Sequence, residues 1–119
     1  MASIRTGNKH VTAWRLAGII ALASLGCASF QGARLYHSGT QALDRGENSI
    51  AVMQLERAAE LVPTASEVQN HLGLAYQAVG RGVEAELAFR RAVDLDCTNT
   101  AAVENLRAVE SIGYSRAQR

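Results

Sequence analysis

The chain has one proline, Pro63, two cysteines, Cys27 and Cys97, and one Trp, three Tyr and two Phe in 119 residues. Each scarcity excludes something. With a single proline, little interrupts long helices except at residue 63. Sparse aromatics argue against a core built on large rings, and alanine as the filler favours helices packed closely through small side chains. Lysine is missing after Lys9, and from Cys27 onward nine arginines stand against eleven acidic residues, a net of −2. A slightly acidic body argues against nucleic acid as a partner. Long apolar runs are missing too. The unbroken stretch Leu16–Leu25 has ten residues, short of the ~20 needed to span a bilayer.

What the chain does have is an echo. Residues 39–63 and 73–97 carry one pattern twice, offset by 34. Gly39 answers to Gly73, Ala42 to Tyr76, Gly46 to Gly80, Ala51 to Ala85, Leu55 to Phe89, Ala58 to Ala92 and Leu61 to Leu95. A period in this range marks units that are each one supersecondary element, unable to bury their own apolar face alone. Within each unit two helical periodicities flank a glycine turn. The spacing predicts helices over about 31–45, 50–62, 66–79 and 83–96, with Ile50, Met53, Leu55, Ala58, Leu61 and Val62 on the apolar face of the second. The fourth is expected to bury Val83, Leu87, Phe89, Ala92, Val93 and Leu95. Asn48 or Ser49 is expected to cap the second helix, Pro63 to stop it, and Ser66 with Gln69 to form a capping box. Gly39 and Gly73 are expected to lie against Ala51 and Ala85, small against small, with Tyr76, Leu55 and Phe89 filling the space between hairpins.

This pattern resembles the tetratricopeptide repeat. Leu72, Gly73, Tyr76, Ala85, Phe89 and Ala92 carry the likeness in one unit, and Gly39, Ala42, Ala51, Leu55, Ala58 and Pro63 in the other. Ser38, Gln69 and Cys97 depart from it. The resemblance implies an all-α, helix-turn-helix solenoid of two repeats, 32–65 and 66–99. A third unit then begins and stops, because Arg107 stands where Gly39 and Gly73 stood. Residues 100–113 are expected to be a C-terminal capping helix with Glu104, Arg107 and Glu110 outward, and 114–119 a flexible tail.

Before the repeats, residues 1–15 are basic, Leu16–Leu25 are apolar, and Gly26-Cys27-Ala28-Ser29 follow. That is the layout of a secretory signal. Leu25, Gly26 and Cys27 resemble the end of a bacterial lipoprotein signal, although Ser24 departs from it. The resemblance implies a signal peptide over 1–26, an acylated Cys27 on a tether of residues 27–31, and release to the outer membrane facing the periplasm, given Ala28 and Ser29. The alternative is an uncleaved N-terminal helix anchored in the inner membrane. With Cys27 acylated, Cys97 has no cysteine left to pair with inside the chain. It reads as a small packed residue.

In such arrays the first helix of each unit lines a concave groove. By the repeat spacing, His37, His71 and Asn105 fall in register, with Tyr36, Asn70 and Glu104 beside them, Thr40 and Leu74 one turn on, and Leu43 and Gln77 beyond. These ten residues are the candidate peptide groove. Their mixture of aromatic, amide and aliphatic groups suits protein recognition. The Lys/Arg–Asn clamp with which some relatives hold a chaperone tail is missing at Tyr36, Thr40, Asn70, Leu74 and Ala101. No Ser/His/Asp set, phosphate loop or HExxH motif is present, and His37 with His71 lacks a completing carboxylate or thiolate. The expectation is therefore a non-enzymatic adaptor or assembly factor for an envelope complex of pilus, secretion or polysaccharide-export type. It needs no cofactor and no metal, contacts the membrane through its anchor, and holds a protein partner in the groove. Two repeats are fewer than the usual three, so self-association or docking on a larger repeat protein is also expected.

Overall fold

The computed structural model of the chain describes the backbone of residues 9–117 and the side chains of residues 26–113. The proposed signal segment, 1–26, falls almost wholly outside the described side chains. Within the described residues the chain is all helix, with no strand: α1 (Lys9–Asp44), α2 (Asn48–Leu61), α3 (Ser66–Ala78), α4 (Gly82–Leu95) and α5 (Thr100–Ala117). Among the described residues, no helix is long and apolar enough to cross a membrane.

The 34-residue period is written into the backbone hydrogen bonds. Two residues past the end of α1 stands Gly46, φ 74°, and two past the end of α3 stands Gly80, φ 77°. Only glycine enters that left-handed region without strain. The reversal lets the Glu47 N–H donate to the Ala42 carbonyl at 2.9 Å, and the Arg81 N–H to the Tyr76 carbonyl at 2.8 Å. These are the same helix-ending motif 34 residues apart. Ala51 to Glu47 and Ala85 to Arg81 then open the next helices, both at 3.0 Å. Val62 to Ala58 and Asp96 to Ala92 close them at 2.9 and 3.0 Å.

Consecutive helices pack as antiparallel neighbours, and α1, α3 and α5 also touch in succession, whereas α2 and α4 do not. The array therefore has an inner layer of α1, α3 and α5 and an outer layer of α2 and α4, splayed apart. Ala42, Ala51, Val52, Leu55, Leu72, Ala75 and Ala88 form one core cluster across the two hairpins, with Tyr36 and Leu43 packed on it. Ala85, Phe89 and Val109 form a second, joining α4 to α5.

The glycines pack differently from the small-against-small expectation. A Cβ on Gly39 would meet Leu55 Cγ at 2.7 Å, and one on Gly73 would meet Phe89 Cε1 at 2.5 Å. Each glycine is thus a socket for the large side chain of its own hairpin. Leu55 and Phe89 are fully buried there, and each also reaches the next unit as expected, Leu55 clustering with Leu72, Ala75 and Ala88 and Phe89 with Val109 on α5. Gly32 is a third socket, occupied by Val62 and Leu61.

The predicted caps are replaced by others. Glu47 and Ala65 stand at the N-cap positions of α2 and α3, and neither makes a side-chain cap bond. Ser66 is instead the first residue of α3. Its hydroxyl donates to the Ala92 carbonyl at 2.9 Å and accepts from Asn99 Nδ2 at 2.9 Å, pinning the ends of three helices together. Gln69, its expected box partner, is buried. Asn99 caps α5, its Oδ1 accepting from the Ala102 N–H at 3.1 Å. Two element boundaries also differ from the sequence reading. Residues 27–31 continue α1 as helix, since Ala28, Ser29, Phe30 and Gln31 include no breaker. Helix α5 runs through Gly113 to Ala117, because a helical glycine costs only about 1 kcal/mol relative to alanine.

Candidate binding surface

The inner layer is built by α1, α3 and α5, and the ten candidate groove residues all lie on these helices. Their contacts follow a diagonal rather than the level register. Tyr36 meets His71 edge to face, ring centroids 5.2 Å apart, with its hydroxyl 3.3 Å from His71 Nδ1. One unit on, Asn105 Nδ2 donates to Asn70 Oδ1 at 2.9 Å. Both pairs span 35 residues. The level His37–His71–Asn105 row is therefore not a set of touching side chains. His37 interacts within its own helix, where Nε2 lies 3.0 Å from Gln41 Nε2. The Glu67 carbonyl, which can only accept, lies 2.9 Å from His71 Nδ1. That places a ring hydrogen on Nδ1, and in the neutral ring Nε2 is then the acceptor.

These contacts divide the candidates. Asn70 is buried at 5% exposure, with its carbonyl oxygen spent on Asn105. The hydroxyl of Thr40 donates to the His37 carbonyl at 2.9 Å. Leu43 packs on the first core cluster and Leu74 on the second. Tyr36, His71 and Asn105 are half-buried, while His37, Gln77 and Glu104 are exposed. What the inner face offers a ligand is thus a row of exposed polar groups over a floor of half-buried ones. Burial, with the charge of Glu67 second, raises the Tyr36 phenol above its ordinary pKa, which keeps it a neutral hydroxyl.

The exposed apolar surface lies elsewhere. Val83 is 73% exposed and Leu87 59%, against the expectation that both are buried, and Met53 on α2 is 61% exposed. Leu95 is also partly exposed. Among the described helices α4 packs only on α3 and α5, both of the inner layer, so its stripe at Val83 and Leu87 turns outward while Ala85, Ala88, Phe89 and Ala92 take the core side. A cleft of about 460 Å³ runs beside that stripe, lined by Leu72, Tyr76, Leu87, Ala88 and Arg91 among others. A second, about 470 Å³, lies where α5 leaves the array, between Val83, Val109 and Ile112.

At the rim of the outer side the two units are tied electrostatically. The Tyr76 hydroxyl donates to Glu56 Oε1 at 2.8 Å, Arg81 lies over the Tyr76 ring at 4.4 Å, and Arg81 pairs with Glu84 at 2.9 Å. Burial, then the hydrogen bond and charge of Glu56, push the Tyr76 phenol up to about 12. The arginine pairing lowers the Glu84 carboxyl. Arg90 similarly joins Glu86 on α4 to Glu110 on α5, at 2.8 and 3.1 Å. Among the described residues, no three His, Cys, Asp or Glu side chains converge as a metal set would require.

No protein-family model matches the chain, and none of the curated proteins matches it.

Proposed function

We propose that the chain is a tetratricopeptide-type adaptor of the cell envelope, a lipoprotein anchored through Cys27 that faces the periplasm from the outer membrane. It holds a segment of an envelope partner on the inner face of α1, α3 and α5. The observation that carries the reading is the exact recurrence, 34 residues apart, of helix-ending, helix-starting and helix-closing hydrogen bonds. A repeat array exists to present a continuous face, and its two-residue socket, Gly39 with Leu55 and Gly73 with Phe89, is spent wholly on holding hairpins shut. Among the described residues of the polar inner face none pairs a base with a nucleophile, which supports binding over catalysis. Assembly of pili, secretion or polysaccharide-export machinery is the class of task this suits, by analogy with small anchored repeat proteins.

A second reading is an inner-membrane scaffold with its N-terminal helix uncleaved. The unbroken run of α1 from Lys9 through Cys27 to Asp44 favours it. Mass spectrometry of the protein from native membranes separates the two: an acylated Cys27 as first residue means lipoprotein, and an intact Met1 means anchor.

The groove is tested by co-purification from solubilised membranes. His37→Ala with Gln77→Ala, both at exposed positions, should lose the wild type's partner while keeping its melting temperature. Equal recovery would reject the inner face. The exposed Met53, Val83 and Leu87 support self-association or docking through the outer layer, and a dilution series that stays monomeric and fully folded would reject self-association.

A further inference from the structure

Helix α1 does two jobs in one piece: it is the first helix of the array, and it continues unbroken toward the apolar stretch that ends at Leu25. Cys27 to Gly32 is five residues, about 8 Å along the axis. Gly32 is already fixed, because its α-carbon is covered by Val62 and Leu61 at the end of α2. Ala28, Ser29, Phe30 and Gln31 between them contain neither glycine nor proline. So no glycine or proline hinge separates Cys27 from the packed domain, and Gly26 before it continues the same helix.

The contacts also say which edge of the domain is nearer the anchor. The α2–α3 turn is level with Gly32. Ser66, in bonding both Ala92 and Asn99, holds the α4–α5 turn at the same edge. The α1–α2 and α3–α4 turns, at Gly46 and Gly80, lie at the other edge, one 14-residue helix away, or about 21 Å. Phe30 is 66% exposed just past the apolar stretch, with the Arg34 guanidinium 6.0 Å from its ring centroid. An exposed ring followed one turn later by a long cationic side chain suits the depth where acyl chains give way to headgroups.

We propose that α1 is a rigid strut, and that the edge carrying Pro63, Thr64, Cys97 and Thr98 faces the lipid surface at a fixed, short distance. The inference rests on the anchored reading, though it holds for either form of anchor. The inner face then stands upright on the bilayer, and the partner segment it takes must lie within about 30 Å of the membrane. The facing edge carries Glu67 and Asp96 and has no basic cluster, so the helix and not attraction to anionic headgroups sets the apposition. Salt should not release it.

The test uses the full chain in phosphatidylcholine vesicles containing a headgroup-quencher lipid. One fluorophore is placed on native Cys97, which is exposed and not packed as the sequence reading expected, and in a second protein on Ala78→Cys with Cys97→Ser. The Cys97→Ser parent supplies the background from Cys27. The Cys97 probe should be quenched several-fold more than the residue-78 probe, at low and high salt alike. A flexible Gly-Ser insertion between Phe30 and Gln31 should erase the difference. Vesicle flotation with equal quenching at both probes would overturn the strut while leaving the anchor standing. Failure to float would overturn both.

Discussion

Asn105 donates to Asn70 at 2.9 Å across 35 residues, the same interval at which Tyr36 meets His71. The inner helices are thus stitched by side chains one position off the 34-residue period of the backbone. Asn70 is buried, so removing its partner leaves a polar group without water. Asn105→Ala should cost about 1–3 kcal/mol. A denaturant double-mutant cycle with Asn70→Ala should return a coupling of at least ~0.5 kcal/mol; additive losses would mean the pair is not formed.

The glycine sockets predict opposite signs for one kind of substitution. In Gly73→Ala the new methyl meets the Phe89 ring at 2.5–2.9 Å, and the ring, fully buried, cannot swing clear. Overpacking of about 1–3 kcal/mol outweighs the roughly 1 kcal/mol gained in helix propensity. Gly113→Ala meets nothing within 4 Å and should stabilise by up to ~1 kcal/mol. Thermal melts of the two variants check both signs.

Ser66 should matter through the turn it holds. Ser66→Ala removes two hydrogen bonds of a buried hydroxyl, for an expected loss of about 1–3 kcal/mol. Hydrogen exchange should rise first at the N-terminal turn of α5 and the last turn of α4. Uniform faster exchange across all helices would contradict that assignment.

Tyr76 gives a pH test. Its folded pKa lies above the free value of 10.0, at about 12, so the folded state holds the proton more tightly than the unfolded one. Stability that is fully present below pH 10 should therefore fall as pH rises through about 12. Tyr76→Phe should flatten that fall. Denaturant midpoints below pH 10 and between 10 and 12 decide it, and an unchanged slope in the variant would remove Tyr76 as the cause.

Much of the fold was legible because its determinants are local. Gly46 and Gly80 must be glycine at positive φ, and Pro63 cannot extend α2. The burial of Ala51, Ala58, Ala85 and Ala92 follows from helical spacing alone. What the sequence hid depends on pairings between helices. Nothing local says that Gly73 receives Phe89 and not Ala85, that Ser66 reaches α4, or that Val83 and Leu87 turn outward for want of a neighbour. The layout of the inner face was half legible for the same reason. Repeat spacing put the right helices side by side, but the slip of one residue that buries Asn70 and leaves His37, Gln77 and Glu104 exposed comes from packing.

The central claim is that the inner face of the array recognises a protein segment. Photo-crosslinking residues placed one at a time at His37, Gln77 and Glu104, with Arg57 on the outer helix α2 as the reference, test it in membranes from the native host. The account predicts the same discrete adduct from the three inner positions and none from Arg57, which is exposed and paired with Glu60 across one helical turn. Adducts from Arg57 with none from the inner three would contradict it.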